Sequence, residues 1–388
     1  EEARTRMDCS VNVGSVYNES RDAEAAIMDG RRAVADLLNA SPETIVSGES
    51  ATSLLFSLSY TIGKEMTGKE NVVTTDYEHY SNVSPWIELK RRNLVREVRF
   101  ARIDKVQGTL DMDHLESLVD DYTRVVNVTA ASNVLGTKTA LNDVGRIARD
   151  ADAYFVVDAV HHVAHGPIDV RAIGCDFLVF SGYKFFSSHG SFLYGKEDHL
   201  RTLRPYRIAP SLDHPPYSWE CGTRDQSMFA AISGVVDYLV WLADQVDGRH
   251  HEFSRNRSGR VQSLRVAMNA IEEYERELST TMLAGSGDSP GILQMPHVKV
   301  YGLTDLSRLE ERDPTFAFKI RNMDDEKVVQ FLWSRYGIAV RAENYYSRVL
   351  EIYDVPTMIR ASFVHYNTSE EIEILLKALH ELERSRSS

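Results

Sequence analysis

The feature that most constrains the fold is the alternation of short apolar segments with helical ones over residues 21–246. The short segments are rich in β-branched residues, which favours strands: "TIVSG" at 44–48, "NVVTT" at 71–75, "RVVNVTAAS" at 124–132, "YFVVDAV" at 154–160 and "CDFLVF" at 175–180. The segments with a helical pattern are 21–38, 49–66, 79–92, 141–151 and 228–246. This alternation predicts an α/β fold with a mostly parallel sheet that is covered on both faces.

The pattern changes after about residue 250. Further strands are predicted in "HVKVYGL" at 297–303, "TFAFKI" at 315–320, "GIAVRAE" at 337–343 and "MIRASFV" at 358–364. Helical patterns occur at 324–337 and 369–385. We therefore predict a large domain over residues 15–250 and a smaller C-terminal α+β domain over residues 251–388, with residues 1–14 packed near the small domain.

Charge and cysteine content argue against several classes of protein. The 388 residues include 44 basic and 57 acidic side chains, a net charge of −13, whereas binding to nucleic acid or to an anionic membrane requires a basic surface. We find no apolar run that reaches the ~20 residues of a membrane span and no signal-peptide core. Cys9, Cys175 and Cys221 are widely spaced, which argues against a disulfide framework or a metal site and favours the cytoplasm.

Lys184 follows the predicted strand "CDFLVF", within "FSGYKFFS" at 180–187. A lysine at a strand end is commonly a solvated residue. The alternative is an amine held in an apolar site, where its neutral form can attack a carbonyl carbon. The apolar flank favours that neutral form, but the lysine alone leaves both interpretations open.

Three more polar side chains follow predicted strands, and in such sheets ligands bind beyond the carboxyl ends of the strands. Asp158 ends "YFVVD", where a carboxylate either caps the next turn or holds a protonated ring nitrogen. His161 lies three residues further on and is either a structural histidine or a contact to the same ligand. His79 follows "NVVTT", and its imidazole can stack on a flat ring.

Two segments are suited to a phosphate group. In "SGESATS" at 47–53 a strand leads into a helix, so Ser50 and Ala51 offer backbone N–H groups at a positive helix end, although a capped helix without a ligand has the same pattern. Ser181 and Tyr183 add hydroxyl groups beside Lys184. Phosphate donors, a partner for a pyridinium nitrogen, a reactive amine and a stacking imidazole are together the groups that pyridoxal 5′-phosphate (PLP) requires.

The chain also resembles the class V aminotransferases, a family of fold-type I PLP-dependent transferases, and within them the cysteine desulfurase-like branch. The matching segments are "EHYSNVSPW", "AASNVLGT", "VVDAVHHVAHGPIDVRAIGCDFLVFSGYKFF", "ECGTRD", "GIAVRAE" and "RASFVHYNTSEEIE". They occur in the family's order, from about residue 15 to the C-terminus.

The resemblance implies roles for the candidate residues. Lys184 matches the Schiff-base lysine, Asp158 the partner of the pyridine nitrogen and His79 the stacking residue. Arg360 matches the arginine that binds the substrate α-carboxylate in a bidentate fork. Thr223 resembles a phosphate contact donated by a neighbouring subunit, which implies a homodimer with shared active sites. The other cofactor contacts implied by the match are Asn133, His161, Ser181 and Tyr183.

One departure from the family concerns sulfur. In the desulfurases a loop after a "GIAVR"-like strand carries a catalytic cysteine, whereas here the loop is "RAENYYSRVL" at 341–350, and Tyr346 lies about where the cysteine would be. We expect Arg341, Tyr345 and Tyr346 to contact the substrate together with Asn133 and Arg360. The tyrosines would fill a pocket for a β-substituent bulkier than that of cysteine.

The expected activity is therefore PLP-dependent chemistry at the α-amino group of a small amino acid, by β-elimination of the C–S lyase type. Transamination and epimerisation are the alternatives within the family. A PLP-binding protein without catalytic activity is the alternative from another class.

Overall fold

The computed structural model describes residue 4 and residues 11–247, 257–287 and 289–384. Within them the strands are β1 (Ile45–Gly48), β2 (Asn71–Thr75), β3 (Glu97–Ala101), β4 (Ile103–Asp104), β5 (Thr109–Leu110), β6 (Thr123–Thr129), β7 (Tyr154–Asp158), β8 (Phe177–Ser181), β9 (Ser191–Gly195), β10 (Gly285–Ser286), β11 (Ser289–Pro290), β12 (Val298–Tyr301), β13 (Thr315–Ile320), β14 (Arg341–Glu343) and β15 (Met358–Ser362). The α-helices are α1 (Asn18–Leu37), α2 (Ala51–Gly63), α3 (Tyr80–Arg91), α4 (Met112–Leu118), α5 (Leu141–Asp150), α6 (Val170–Ile173), α7 (Glu197–Thr202), α8 (Gln226–Asp247), α9 (Arg257–Ala284), α10 (Asp325–Tyr336), α11 (Val349–Ile352) and α12 (Ser369–Arg384).

The large domain is built on a sheet that has seven strands in the described ranges, in the order β1-β9-β8-β7-β6-β2-β3. Strands β8, β7, β6, β2 and β3 are parallel, whereas β9 is antiparallel to both of its neighbours, β8 and β1. The predicted α/β fold with a mostly parallel sheet is confirmed. The sequence pattern does not predict β3 or β9, because β3 is a partly exposed edge strand with charged residues and β9 follows the polar loop "SSHG".

The apolar strands are explained by helices on both faces of this sheet. Val157 on β7 packs with α1, α5, α8 and α9 on one face, while its neighbour Val156 packs with α2 and α3 on the other. Successive side chains of a strand point to opposite faces, so a strand buried on both sides is apolar throughout. Gly30 on α1 allows a close approach to α8, because a Cβ atom there would lie 2.6 Å from Cβ of Phe229.

Helix α8 differs from one expectation of the sequence analysis. Its segment Gln226–Val246 is long and apolar enough to cross a membrane by length and composition, although no run of that kind is expected from the sequence. Most of the segment is buried, with α1 and α9 packed against it. A core helix of a globular fold satisfies the same criteria, so the composition of α8 is explained by its packing.

The small domain is an antiparallel sheet in the order β12-β13-β15-β14, packed against α10, α12 and the end of α9. Helix α9 connects the two domains, since Leu264 belongs to the large core and Leu278 to the small one. The predicted domain boundary at 250–251 falls outside the described residues. So does most of segment 1–14; of its described part, the Val11 carbonyl accepts a hydrogen bond from Gln226 of the large domain.

The two domains meet at the carboxyl edge of the large sheet. His79, just after β2, forms a β-bridge with Ser347 of the small domain, and the Tyr80 N–H donates to the Tyr346 carbonyl at 2.7 Å. Gly136 permits a second contact: it has a φ of +75°, and a Cβ atom there would lie 2.6 Å from the Asp313 carbonyl oxygen. Residues from both domains therefore surround the ends of β2, β6, β7 and β8.

Candidate active site

Lys184 lies in the turn Gly182–Lys184 that directly follows β8. Its side chain is exposed, with Nζ 5.7 Å from the centre of the Tyr183 ring. The turn carries Lys184 beyond the edge of the sheet, while Phe185 takes the buried position. The ammonium charge nevertheless acts on Asp158 and His79, which places Lys184 at the same edge.

Asp158 is the last residue of β7 and is only 3% exposed. Its Oδ1 accepts a hydrogen bond from the Val160 N–H at 2.9 Å. Burial raises the pKa of Asp158 to about 6, against the opposing effects of that hydrogen bond and of Lys184. At neutral pH the carboxyl group is thus ionised, buried and, among the described residues, without an ion-pair partner. Such a group is suited to a cationic ring nitrogen.

His79 is the residue that precedes α3 and caps it. Its Nδ1 accepts the Ser81 N–H at 3.0 Å and lies 2.7 Å from the Ser81 hydroxyl oxygen. Burial, and then the charges of Lys184 and Arg360, lower the pKa of His79 to about 4. The ring is therefore neutral at pH 7 with its proton on Nε2. Its centre is 6.0 Å from that of the Tyr346 ring.

Nε2 of His161 and Oδ1 of Asn133 are buried at this edge and have no hydrogen-bond partner in the described part of the chain. Burial, and then the charge of His165, hold the pKa of His161 well below its ordinary value, although Asp313, 3.9 Å from Nε2, opposes the shift. Asn133 uses its amide nitrogen to donate to the Tyr345 carbonyl at 3.1 Å. Buried polar atoms are rarely left unpaired, so both fit a polar ligand that completes the site.

The start of α2 is compatible with both interpretations of its sequence, a capped helix and a phosphate site. Ser50 caps the helix, since its hydroxyl oxygen accepts the Ser53 N–H at 3.1 Å. The Ala51 N–H, in the first turn, has no partner within the helix and is free for an anion. Glu49, an unsuitable neighbour for a phosphate, has an exposed side chain.

The other candidate phosphate contacts, Ser181, Tyr183 and Thr223, differ in how far they are buried. Ser181 is buried at the end of β8, where its hydroxyl oxygen accepts from the Ser191 hydroxyl at 3.3 Å. Tyr183 is half exposed and stacks on His189 with 5.0 Å between ring centres. Both flank Lys184. Thr223 is exposed and makes no hydrogen bond with the described residues, so within this chain it is not brought into the site.

Arg360 lies on β15, one of the central strands of the small sheet. Its Nη1 donates to the Asn133 carbonyl at 2.6 Å, and its guanidinium carbon is 4.2 Å from the centre of the Tyr345 ring. Among the described residues no carboxylate pairs with it. A largely buried arginine that is held by an aromatic ring and lacks an anion is suited to bind a carboxylate ligand.

The three other predicted substrate contacts, Arg341, Tyr345 and Tyr346, differ in how far they are buried. Tyr345 is 3% exposed, and its hydroxyl donates to the Arg341 carbonyl at 2.5 Å and lies 3.0 Å from that of Met358. Its phenol is thus used by the backbone, and the expectation that it contacts a substrate substituent is wrong. The Arg341 side chain is exposed and nearest to Glu343 at 3.5 Å. Tyr346 is 65% exposed beside His79, so its ring is free for a ligand.

Sequence reasoning missed several buried ionisable groups beside the site. Glu78 is fully buried next to His79. Asp313 accepts a hydrogen bond from His162 at 3.0 Å, and Glu275 is 2.9 Å from Nδ1 of His165. The acidic partners lie 110 or more positions from their histidines, so no local pattern indicates these pairs. For Glu78 the only signal is its position in "EH" at a strand end.

The comparisons with known proteins agree with this arrangement. The chain is 28% identical over 385 residues to a cysteine desulfurase of Yersinia pestis (strain Pestoides F), covering 95% of this chain and 85% of that protein. It is 30% identical over 386 residues to a cysteine desulfurase of Enterobacter sp. (strain 638), covering 95% and 86%.

Among solved structures, the apo cysteine desulfurase of Thermococcus onnurineus NA1 has a TM-score of 0.83 at 25% identity, covering 99% of this chain and 91% of that one. The cysteine desulfurase CsdA of Escherichia coli has a TM-score of 0.80 at 24% identity, covering 98% and 90%, a likeness of fold. The aminotransferase class-V family matches residues 4–284 and 261–375. The chain therefore belongs to the class V aminotransferases and is a PLP-dependent enzyme.

Proposed function

We propose that the protein is a C–S lyase that catalyses β-elimination on an amino acid whose sulfur atom carries a substituent. The observation that supports this most directly is the combination of Lys184, Asp158 and Arg360 at one edge of the sheet with a phenol, Tyr346, on the facing loop. The relatives are named cysteine desulfurases, which favours carbon–sulfur chemistry. The facing loop, however, contains no thiol.

Bound PLP supplies an electron sink for the electrons left at the α-carbon of an amino acid. We assign the rest of the chemistry to this chain. The Asp158 carboxylate stabilises the proton on the ring nitrogen, and His79 covers the ring. Arg360 binds the substrate α-carboxylate through its guanidinium fork. Lys184, whose side chain is exposed, removes the proton from the α-carbon.

Sulfur then leaves with its substituent rather than being transferred to the protein. In the balanced reaction an S-substituted cysteine and water give a thiol, pyruvate and ammonium. Cys175 is unsuited to accept sulfur, because burial raises the pKa of its thiol far above the ordinary value. Cys221 is exposed, and its thiol donates to the Tyr206 carbonyl at 3.5 Å.

The test is a screen of L-cysteine and a series of S-substituted cysteines for release of pyruvate, ammonium and thiol. It uses the PLP-loaded protein and a thiol-free variant (Cys9→Ser, Cys175→Ala, Cys221→Ser) whose fold is checked by circular dichroism. We expect pyruvate from the substituted substrates in both proteins. Loss of turnover in a folded, PLP-loaded thiol-free variant would indicate a desulfurase.

Other outcomes identify the alternatives. Keto-acid formation with amino transfer indicates an aminotransferase, and α-proton exchange with inversion indicates an epimerase. An absorbance spectrum that no amino acid changes indicates a PLP-binding protein without catalysis.

We also propose a cytoplasmic homodimer. The support for a dimer is the exposure of Thr223, whose family counterpart contacts the phosphate of a neighbouring subunit. The loop that carries it is fixed to its own subunit, because Glu220 pairs with the buried Arg31 at 2.8 Å. The support for the cytoplasm is that Cys175 and Cys221 are unpaired.

A further inference from the structure

Glu78 is a fully buried carboxyl group for which the proposed chemistry has no use. It lies between the end of β2 and the start of α3, directly before His79. Its Oε1 accepts from the Thr75 hydroxyl at 2.6 Å, and its Oε2 accepts from the Asn82 amide at 2.7 Å. All its hydrogen-bond donors are neutral, and within the described ranges no cationic side chain pairs with it. Burial without a cation disfavours the ionised form of a carboxyl group and raises its pKa.

Thr129 connects Glu78 to Asp158. The Thr129 N–H donates to Glu78 Oε1 at 3.0 Å, while the Thr129 hydroxyl donates to the Ala131 carbonyl at 2.8 Å and lies 3.2 Å from the Asp158 backbone carbonyl. Thr129 and Asp158 are also paired across β6 and β7. Glu78 is therefore hydrogen-bonded to the residue that pairs with Asp158 in the neighbouring strand, and the negative charges of the two carboxyl groups repel each other.

The other charged groups around Glu78 do not neutralise it. Arg348, on the small-domain loop, directs its guanidinium to Asp76 at 3.1 Å and offers Glu78 only a backbone contact, its N–H donating to the Glu78 carbonyl at 3.4 Å. His79 is neutral at pH 7, as shown above, and Lys184 is exposed. Burial thus raises the pKa of Glu78 to about 8, although the hydrogen bonds from Thr75, Asn82 and Thr129 oppose the shift, and Asp158 adds to it.

We propose that Glu78 is a positioning residue that holds a proton while the cofactor site is empty and releases it to solvent when a cationic pyridine ring pairs with Asp158. The positive ring offsets the repulsion from Asp158, which adds to the effect of burial on Glu78, and so favours the ionised form of Glu78. The released proton comes from a Glu78 Oε atom, and no other bond changes. Glu78 and Asp158 would then supply two negative charges at this edge of the sheet instead of one, which would strengthen the preference for a protonated ring nitrogen. The inference rests on the proposed pairing of Asp158 with the ring, and not on the reaction catalysed.

The test measures proton release on binding, with no turnover. The full-length protein is freed of PLP and titrated with pyridoxamine 5′-phosphate, which lacks the aldehyde and forms no covalent bond with Lys184. Calorimetry at pH 7 in buffers of different ionisation enthalpy gives the number of protons exchanged. Wild type should release about one proton more than Glu78→Gln, since a group with a pKa near 8 is mostly protonated at pH 7.

Asp176→Asn is the matched control, a buried carboxylate at the opposite edge of the sheet that already pairs with Lys196 at 2.7 Å. It should exchange the same number of protons as wild type. Equal proton numbers for wild type and Glu78→Gln would overturn the proposal.

A second measurement needs no variant. The infrared difference spectrum between the wild-type holoenzyme and its cofactor-free form should show loss of a protonated-carboxyl C=O band on loading. A spectrum without that loss would overturn the proposal even if Glu78→Gln did not fold. Normal proton release in a protein that forms no pyruvate would overturn the proposed lyase activity and leave the role of Glu78 intact.

Discussion

The ionised Asp158 should destabilise the cofactor-free protein at neutral pH, so Asp158→Asn should be more stable than wild type there. The pKa of Asp158 is raised from 3.8 to about 6 by burial. A folded-state pKa above the unfolded value means that stability is present below pH ~4 and is lost as the pH rises towards 6. Two units of pKa correspond to about 3 kcal/mol of unfolding free energy. The asparagine keeps an oxygen to accept the Val160 N–H, so the charge is the main change.

The assay is urea denaturation of the cofactor-free proteins at pH 5 and pH 7.5. The variant should exceed wild type in unfolding free energy by up to about 3 kcal/mol at pH 7.5, and by less at pH 5. Asp176→Asn is the control of opposite sign. Asp176 pairs with Lys196 and His199, and although burial opposes them, these contacts lower the pKa of Asp176. Its loss should therefore destabilise the protein, by about the same amount at both pH values, because both lie above the unfolded-state pKa of 3.8.

Loading with PLP should reduce the stability advantage of Asp158→Asn over wild type. The cofactor compensates the charge in wild type, so it should raise the melting temperature of wild type more than that of Asp158→Asn, which is expected to bind PLP and lose most turnover. If the variant is no more stable than wild type at pH 7.5, or if its advantage is the same at both pH values, then Asp158 is not a buried uncompensated charge and the reasoning fails.

Three further predictions concern other parts of the site. Lys184→Ala should fold but form no covalent bond with PLP; borohydride reduction followed by peptide mapping checks this, and PLP linked to another lysine would refute the assignment. Tyr346→Ala should raise KM with an unchanged melting temperature, whereas Tyr345→Phe should cost about 1 kcal/mol of stability because it removes the hydrogen bond to the partly buried Arg341 carbonyl; kinetics and calorimetry separate the two, and the reverse pattern would contradict the structure. Light scattering should give a dimer, and Thr223→Ala should weaken PLP affinity; an active monomer that binds PLP tightly would contradict shared sites.

The large sheet could be predicted from sequence because its central strands are buried on both faces. Strands β2, β6, β7 and β8 are short runs of apolar or β-branched residues, and the structure has strands in all four runs. Edge strand β3 and strand β9 have weaker signals, since one is partly solvated and the other follows a polar loop. Helix α9 was not predicted, although its buried residues Leu264, Met268, Ile271, Leu278 and Met282 recur at helical spacing on one face, the first three in the large core and the last two in the small one.

The site could be predicted only where a residue type is unusual for its position. Asp158 at the end of a buried strand is such a case, and so is Lys184 in an aromatic segment, although its exposure was not predicted. The pattern cannot reveal how a side chain is used. Tyr345 and Tyr346 are the same residue type at adjacent positions. The backbone conformation places the first in the core and the second at the surface.

That geometry also bears on the fate of sulfur. Tyr345 and Tyr346 have φ values of +53° and +48°, a left-handed conformation that is unfavourable for aromatic residues and persists only when the surroundings impose it. Here they do: the Ser347 hydroxyl donates to the Glu78 carbonyl at 3.1 Å, and Ser347 is bridged to His79. A loop that carries sulfur away from a substrate has to move, whereas this loop is fixed to the large domain at consecutive residues. The loop is therefore suited to contact a substrate substituent through Tyr346 without moving. A thiol formed beside it would leave directly into solvent.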